Sequence, residues 1–237
     1  MSDSSSRPAP PPDPARGVFL GDLAHDLSTP LTAIHGATEL LLAGAYGPLD
    51  PEQRALVLEV LASTRELRVY VQDVADLGAL DTGRLVFASA LVDVAGIVGE
   101  LRTTLSATAA KRSVAFALES HLDGTTIASD DRRLRQIFSA LFGYAVKASK
   151  RGSQITANVA QRDGRLRAEV RCTGITASDP RSLFADRRDP TPGVPKQYRG
   201  PGLGLPLVGR LVAAWGGRVS AEQHDGTLVL SVELPVR

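Results

Sequence analysis

The sequence predicts a two-helix hairpin that dimerises into a four-helix bundle, followed by an α/β sandwich. One observation is the heptad-like spacing of apolar residues in two segments, which flank the turn sequence AYGPLDP at residues 45–51. Another is an alternation of helix and strand patterns after residue 82, in which Asp163-Gly164 and Asp225-Gly226 are hairpin turn signals. Elements in this order are typical of an α/β sandwich.

Composition excludes several classes of protein. The chain has 237 residues, 43% of them hydrophobic, and a formal net charge of +1, so it can bury a core and carries no strong field for nucleic acid or membranes. Its single cysteine, Cys172, excludes an intramolecular disulfide and fits a reducing cytosol. We see neither a signal-peptide pattern nor about 18 consecutive apolar residues, and we expect a cytoplasmic protein without a membrane span.

The N-terminal part divides into a tail and a helix. Residues 1–16 are rich in Ser, Pro and Asp and predict a disordered tail. A helix is expected from Val18 to about Gly44. Its apolar seam lies close to heptad positions a and d and consists of Leu20, Leu23, Leu27, Ile34, Ala37 and Leu41.

A second helix should start at Asp50-Pro51, which are a good N-cap and first-turn pair. We therefore expect a helical hairpin domain over residues 17–81. A lone hairpin leaves an apolar stripe uncovered, and a homodimer would bury it. The seam of the second helix comprises Val57, Val60, Leu61, Thr64, Leu67, Val71 and Val74.

The string LAHDLSTPLTAI in the first helix places a nucleophile beside groups that can assist it. With Leu20 at position a, His25 falls at the outermost position f and Thr29 at c, while Asp26 lies about 100° round the helix. A neutral imidazole, with an ordinary pKa of about 6.5, is a competent nucleophile that a carboxylate can orient. Pro30 removes a helical hydrogen bond, at a cost of about 3 kcal/mol, and allows a kink. A solvated helix face with an incidental proline is the alternative interpretation.

This string resembles the H-box of the dimerisation and histidine-phosphotransfer domain of bacterial sensor histidine kinases. The resemblance implies that His25 is phosphorylated, that Asp26 assists, and that Thr29 can position water to hydrolyse the aspartyl phosphate of a response regulator. Ser28 replaces the arginine that is common in the family. The matching positions are His25, Asp26, Thr29, Pro30 and Leu31.

Residues 82–237 resemble the catalytic domain of histidine kinases and related ATPases. We expect Ser129 to cap a helix whose core face is Leu134, Ile137, Phe138, Leu141, Phe142 and Ala145. A loop rich in Pro, Arg and Asp should cover residues 179–199. The expected strands are 84–86, 114–118, 154–160, 166–172, 218–223 and 227–234, and the expected helices are 94–111, 130–150 and 203–214.

The nucleotide motifs of that family are only partly present. The resemblance implies two asparagines and a lysine on one helical stripe, where this chain has Ala140, Tyr144 and Lys147, so only the lysine is retained. Magnesium prefers oxygen ligands, which an alanine side chain cannot supply. The family's Asp-x-Gly-x-Gly is Cys172-Thr173-Gly174-Ile175-Thr176 here, and a thiol is a weak acceptor for the adenine amino group.

A later glycine box matches the family well, with Gly200, Gly202 and Gly204 where glycines let a backbone approach phosphates. Each of these features also has a structural explanation: the glycines can serve the turn, Tyr144 can fill the vacated pocket, and Cys172 can be a buried hydrophobe. Trp215-Gly216-Gly217 stands where the family often has His-Gly-Gly, and we expect a core anchor there. We expect no metal site, because the spacing suggests no partner for His35, His121 or His224.

Three functions remain from the sequence. The first is a phosphotransferase or phosphatase that relays or removes phosphoryl groups between His25 and receiver-domain aspartates, without ATP as a cofactor. The second is an active autokinase that uses ATP and magnesium at an unusual site, supported by Lys147 and the glycine box. The third is a pseudokinase scaffold that binds a response regulator without chemistry. The absence of the two asparagines and the aspartate argues against the autokinase and favours the first function, a phosphotransferase or phosphatase.

Overall fold

The computed structural model describes residues 12–122, 126–175, 177, 179–185 and 203–236. The chain divides into two units, one spanning Pro11–Leu85 and the other containing Val86–Arg237. Most of the predicted tail, Thr176, Gly200 and Gly202 lie outside the described residues. Within the described part of the chain, no helix is both long enough and apolar enough to cross a membrane.

Helix α1 spans Pro14–Leu42, with Asp13 as its N-cap. The Asp13 side chain accepts a hydrogen bond from the Arg16 backbone N–H at 3.1 Å, and a proline follows the cap directly. The prediction that disorder extends to Arg16 is therefore wrong for residues 14–16. Asp13-Pro14 is itself a helix start signal, and it lies inside the proline-rich run that suggested disorder.

Helix α2 spans Pro51–Asp81 and begins at the predicted cap. Asp50 accepts from the Gln53 N–H at 2.8 Å, and the Gln53 side chain accepts from the Asp50 N–H at 3.2 Å, which completes a capping box. The predicted strand at residues 84–86 is wrong. The Arg84 N–H instead donates to the Ala79 carbonyl at 2.9 Å, a bond that closes the end of α2, and residues 84–86 belong to no strand.

The two helices of the hairpin pack through a narrow stripe in which α1 contributes Gly17, Ala24, Leu31 and Thr38. Gly17 lies so close to α2 that a Cβ there would be 2.8 Å from the Gly78 carbonyl oxygen. The predicted seam lies beside this stripe, because Leu23, Leu27 and Ile34 remain 39%, 42% and 45% exposed. A single hairpin thus leaves much of its apolar surface uncovered.

The second unit is built on a five-stranded sheet in the order β2-β4-β5-β7-β6, with a separate antiparallel pair β1-β3. Helices α3, α4 and α5 pack together over its buried face. Helix α3 matches the predicted residues 94–111. The strands are β1 Ala90–Val92, β2 Ala115–His121, β3 Ile127–Ser129, β4 Gln154–Arg162, β5 Arg165–Thr173, β6 Arg218–His224 and β7 Thr227–Pro235, and the helices are α3 Val94–Lys111, α4 Asp131–Ala148 and α5 Gly204–Ala214.

Asp130, not Ser129, is the N-cap of α4, and the prediction is wrong by one residue. The Asp130 carboxylate accepts from the Arg133 N–H at 3.0 Å, while Ser129 belongs to strand β3. The predicted core face of α4 is confirmed, since its members are fully buried; they are Leu134, Ile137, Phe138, Leu141, Phe142 and Ala145.

Both predicted hairpin turns are confirmed. Asp163 and Gly164 have φ of 49° and 68°, and Asp225 and Gly226 have φ of 46° and 74°. Positive φ at both central residues characterises the type I′ turns that join antiparallel strands. Within the predicted 179–199 loop, the described part contains a 3₁₀ helix at Pro180–Phe184.

Candidate functional site

His25 lies on the exposed face of α1, and Asp26 and Thr29 are exposed with it. Among the described residues, none forms a hydrogen bond or ion pair with the imidazole. These placements agree with the outward heptad positions expected for His25 and Thr29. The imidazole nitrogens are therefore accessible to a reactant that approaches from solvent.

The helix backbone after His25 is weakened without being broken. Pro30 lies inside α1 and has no N–H, so the Asp26 carbonyl lacks its usual helical donor. The Ser28 hydroxyl donates to the Ala24 carbonyl at 2.7 Å, and the Thr32 hydroxyl donates to the Ser28 carbonyl at 2.8 Å. Hydroxyl groups that bond to carbonyls one turn back favour helix bending. The segment that carries His25 can thus bend next to that residue.

The uncovered apolar face of α1 points away from His25. At 100° per residue, Leu27 is about 200° and Ile34 about 180° round the helix from His25. On α2, Val60 and Leu67 are also partly exposed, at the seam positions that the sequence predicted. Burial of this face in a dimer would therefore leave the His25 side chain exposed to a third protein.

The three positions that match the family's asparagines and lysine lie along α4. Tyr144 is buried, at 8% exposure, Ala140 is partly buried, and Lys147 is exposed. A Cβ on Gly204, the first residue of α5, would be 3.7 Å from the Ala140 Cβ, so the glycine box ends beside this stripe. The structure thus places Ala140 close to Gly204.

Arg112 was missed by the sequence reasoning. Its guanidinium donates from Nε to the Val146 carbonyl at 3.1 Å and from Nη2 to the Lys147 carbonyl at 2.8 Å, and so caps the end of α4. A cation at a helix C-terminus is favourable, but no local pattern connects a residue after α3 with the end of α4.

Cys172, at the position where the resemblance implies an aspartate, lies near the end of β5. It is 0% exposed, and this burial raises the pKa of the thiol to about 12, so the group is neutral. The expected structural role of Cys172 as a buried hydrophobe is confirmed. Next to it, Gly174 has a φ of 73° and its N–H donates to the Gly226 carbonyl at 3.2 Å.

The loop after β5 is tied to β6. The Gln223 amide donates to the Ile175 carbonyl at 3.0 Å and accepts from the Ala177 N–H at 3.2 Å. Ile175 and Ala177 are both buried. Both residues therefore pack into the core of the unit.

These residues do not fit a magnesium nucleotide in the way that the family implies. Ala140 supplies no side-chain oxygen, Tyr144 is buried, and the neutral thiol of Cys172 is a weak acceptor. Over the described ranges, no three His, Cys, Asp or Glu residues are grouped to hold a metal ion. His35, His121 and His224 lie beside single carboxylates, those of Glu39, Glu119 and Glu222.

Two protein families match the chain, one for each unit. The "His Kinase A (phospho-acceptor) domain" matches residues 15–83. The "Histidine kinase-, DNA gyrase B-, and HSP90-like ATPase" family matches residues 129–237.

The curated relatives are longer proteins. The circadian input-output histidine kinase CikA of Synechococcus elongatus is 29% identical over 216 residues, which cover 90% of this chain and 29% of CikA. A sensor-like histidine kinase of Rhizobium meliloti is 30% identical over 229 residues, 93% of this chain and 43% of the relative. The chain thus spans less than half the length of these relatives.

Solved structures agree with the fold. Full-length ShkA in complex with AMPPNP has a TM-score of 0.68 and 28% identity, with 92% of this chain and 45% of ShkA covered. The histidine kinase AdeS of Acinetobacter baumannii, at 20% identity, has a TM-score of 0.57, with 89% of this chain and 97% of AdeS covered. A phospho-acceptor hairpin followed by a kinase-type ATPase domain, with homologues that are sensor histidine kinases, shows that the chain belongs to the sensor histidine kinase family.

Proposed function

We propose that this protein exchanges phosphoryl groups between His25 and aspartates of response-regulator receiver domains, with little or no autophosphorylation from ATP. The observation that carries the proposal is a contrast between two sets of matched positions. His25, Asp26 and Thr29 are all present and exposed, whereas Tyr144 and Cys172 are substituted and buried.

The proposed exchange requires no ATP bound to this chain. An imidazole nitrogen of His25 attacks the phosphorus of a receiver aspartyl phosphate, a P–N bond forms, and the P–O bond to the aspartate breaks. The aspartate leaves as a carboxylate, and the imidazole proton passes to the Asp26 carboxylate. The reverse sequence phosphorylates the receiver. With Thr29 positioning a water molecule in place of the imidazole, the same encounter releases inorganic phosphate.

We further propose that the working form is a homodimer joined through the exposed apolar face of the hairpin. Leu23, Leu27 and Ile34 supply that face on α1, opposite His25. A contiguous exposed apolar face on a soluble helix pair favours association. The single buried cysteine fits a cytoplasmic location for this reaction.

A receiver domain is the partner that suits the site. The crystal structure of the histidine kinase ThkA in complex with the response regulator TrrA has a TM-score of 0.52 with this chain, 17% identity, and coverage of 92% of this chain and 61% of ThkA. A receiver bound at the His25 face would leave the apolar face of α1 free for the second copy.

The test uses radiolabelled, phosphorylated receiver domains from the same genome. We expect at least one to transfer label to the wild-type chain or to lose its phosphate faster in the presence of the chain. His25→Ala should abolish labelling, a loss of about 100-fold or more. His35→Gln, in the same helix, is the matched control and should transfer as the wild type does. If no receiver transfers label to the chain or loses phosphate faster in its presence, the phosphotransfer proposal is excluded and the pseudokinase scaffold is favoured.

An active autokinase is the second candidate. It is favoured by the match of residues 129–237 to the ATPase family, by the exposed Lys147, and by the likeness to ShkA, which was crystallised with AMPPNP. This candidate predicts transfer of the γ-phosphate of ATP to His25 without any receiver. The first candidate predicts label on His25 only when a phosphorylated receiver is present.

A further inference from the structure

Strand β2 is an outer strand of the five-stranded sheet, and among the described strands its one hydrogen-bonded neighbour is β4. The pairing is parallel and runs residue for residue along the whole strand, so β2 contains no bulge. The Ala115 N–H donates to the Ser153 carbonyl at 3.0 Å, which fixes the direction of the peptide groups that follow. Because these directions alternate along a strand, the N–H and C=O groups of Phe116, Leu118 and Ser120 point away from β4.

These outward groups form an open edge. Over the described ranges, none of the three residues makes another backbone hydrogen bond. Proteins commonly protect such an edge with a lysine, a proline or a bulge, and β2 has none of these; its ionisable side chains are Glu119 and His121. At the opposite edge, Gln223 of β6 bonds to the loop after β5, through the Ile175 carbonyl and the Ala177 N–H. The sheet can therefore accept a further strand beside β2.

A hollow on the face of the sheet opposite the helices includes this edge strand. Its volume is about 230 Å³, below the roughly 300–1,000 Å³ of small-molecule pockets, so it suits a single side chain. Small Ala117 lines it on β2, and its polar lining includes Glu119, Asn158 and Glu169. Neighbouring strands are about 4.8 Å apart, so a long side chain on an added strand can cross Ala117 and enter the hollow.

The two carboxylates of the hollow differ in their neutralisation. Glu169 is paired with two arginines, Arg167 at 2.7 Å and Arg171 at 2.8 Å, and Arg171 itself lines the hollow. The Glu119 side chain is 71% exposed, and its one ion-pair contact among the described residues is with His121, at 3.8 Å, which is charged only when protonated. The hollow therefore favours a cationic side chain over an anionic one.

We propose that β2 binds an extended segment of a partner protein as a sixth strand, and that a lysine or arginine of this segment, placed beside Ala117, enters the hollow and pairs with Glu119. The outward groups of β2 supply main-chain hydrogen bonds, and the alternate side chains of the segment supply specificity. Those that face the helices should be apolar, because Phe116 is partly buried and Leu118 is buried on that side. The proline-rich residues 8–12 of this chain lack the N–H donors that such a strand needs.

The first test asks whether the edge is open, by residue-resolved hydrogen exchange on the wild-type full chain. We expect the amides of Phe116, Leu118 and Ser120 to exchange about 100-fold or more faster than those of Ala117 and Glu119, which face β4. Equal protection of all five amides would show that the chain itself or a second copy already covers the edge, and would overturn the proposal.

The second test adds a synthetic peptide of alternating valine and lysine, as long as β2, to the same chain. We expect it to bind with a dissociation constant below about 1 mM and to slow exchange at the three outward amides. A peptide with glutamate in place of lysine should bind about tenfold or more weakly. Absence of binding by the lysine peptide, equal binding of both peptides, or unchanged exchange at the outward amides would each overturn the proposal.

Two pairs of variants separate the edge from the hollow. Ser120→Pro removes an outward N–H at an exposed position and should weaken binding of the lysine peptide about tenfold, whereas Ser120→Ala keeps the N–H and should bind as the wild type does. Glu119→Gln should bring the two peptides to within about twofold of each other, whereas Glu222→Gln, on β6, should leave their difference unchanged. Equal binding by both Ser120 variants would contradict strand addition, and an unchanged peptide preference in Glu119→Gln would contradict the role of the hollow. None of these measurements depends on the proposed phosphotransfer.

Discussion

The helical hairpin and the α/β unit differ in the solvent exposure of the residues that match family motifs. In the hairpin, His25, Asp26 and Thr29 face solvent, and the apolar face of α1 is left uncovered. In the α/β unit, Tyr144 and Cys172 are buried in a core that a single chain forms. The difference teaches that the matched positions of the hairpin are open to a reactant from solvent, whereas Tyr144 and Cys172 serve as packing residues of their unit.

The largest expected effect tests whether the α/β unit is stabilised by its own core. Phe142 is fully buried, so Phe142→Ala should lower the free energy of unfolding of this unit by about 3–5 kcal/mol. Leu91→Ala is the control, because Leu91 is exposed on β1 and should change the stability by less than about 0.5 kcal/mol. Urea unfolding followed by tryptophan fluorescence measures both. Equal stability of the two variants would contradict a self-contained core.

The next prediction tests whether the hairpin needs a second copy. A charge at Ile34, on the uncovered face, should weaken dimerisation about 100-fold or more, because an unpaired charge would have to be desolvated in the interface. Sedimentation of Ile34→Glu should therefore show monomers at concentrations where the wild type is dimeric. Leu58→Glu changes an equally exposed leucine of α2 outside the predicted seam and should leave the dimer intact. A monomeric wild type would contradict the claim that the hairpin buries its apolar face against a second copy.

A smaller effect probes the narrow core of the hairpin. A Cβ on Gly17 would lie 2.7–2.9 Å from two atoms of α2 and one atom of its C-cap Thr82, so Gly17→Ala should destabilise the hairpin by about 1–3 kcal/mol. Gly36→Ala, in the same helix with nothing within 4 Å of the new Cβ, should raise stability by up to about 1 kcal/mol. Thermal unfolding followed by circular dichroism compares the two. If both variants change the thermal stability in the same direction, close contact at Gly17 is ruled out.

The smallest effect concerns pH. Because burial raises the pKa of Cys172 to about 12, its neutral thiol contributes full stability below the unfolded-state pKa of about 8.5. That contribution should fall as pH rises from about 9 towards 12, by roughly 1 kcal/mol per pH unit. Cys172→Ala lacks this dependence, so the stability difference between variant and wild type should shrink with rising pH. A difference that stays constant to about pH 11 would indicate an accessible, ordinary thiol.

Much of the fold was readable from local patterns. Helix α3 and the turn at Asp163-Gly164 were predicted where they occur, because apolar periodicity and turn chemistry act over a few residues. The N-cap prediction at Ser129 is wrong because two adjacent residues can both act as caps. Ser129 pairs with β1 as part of strand β3, and Asp130 caps α4 instead. The predicted strand at residues 84–86 is wrong because the turn at Gly83, which ends α2, ties the Arg84 N–H to the Ala79 carbonyl.

The site was predictable only where its residues are neighbours in sequence. His25, Asp26 and Thr29 lie within about one turn of one helix, so their spacing already indicated which residues face outward. The contacts of Arg112 with the end of α4, and the stack of Phe87 on Trp215, join residues far apart in the chain. Such contacts depend on the packing of whole elements, and no local pattern reports them.

The central claim is that the acceptor site is retained while the nucleotide site is lost. Calorimetric titration of the wild-type full chain with magnesium and ATP tests it most directly. We expect no heat beyond dilution up to millimolar nucleotide, since Ala140, Tyr144 and Cys172 supply none of the expected contacts. Binding with a micromolar dissociation constant would contradict the claim and restore the autokinase function.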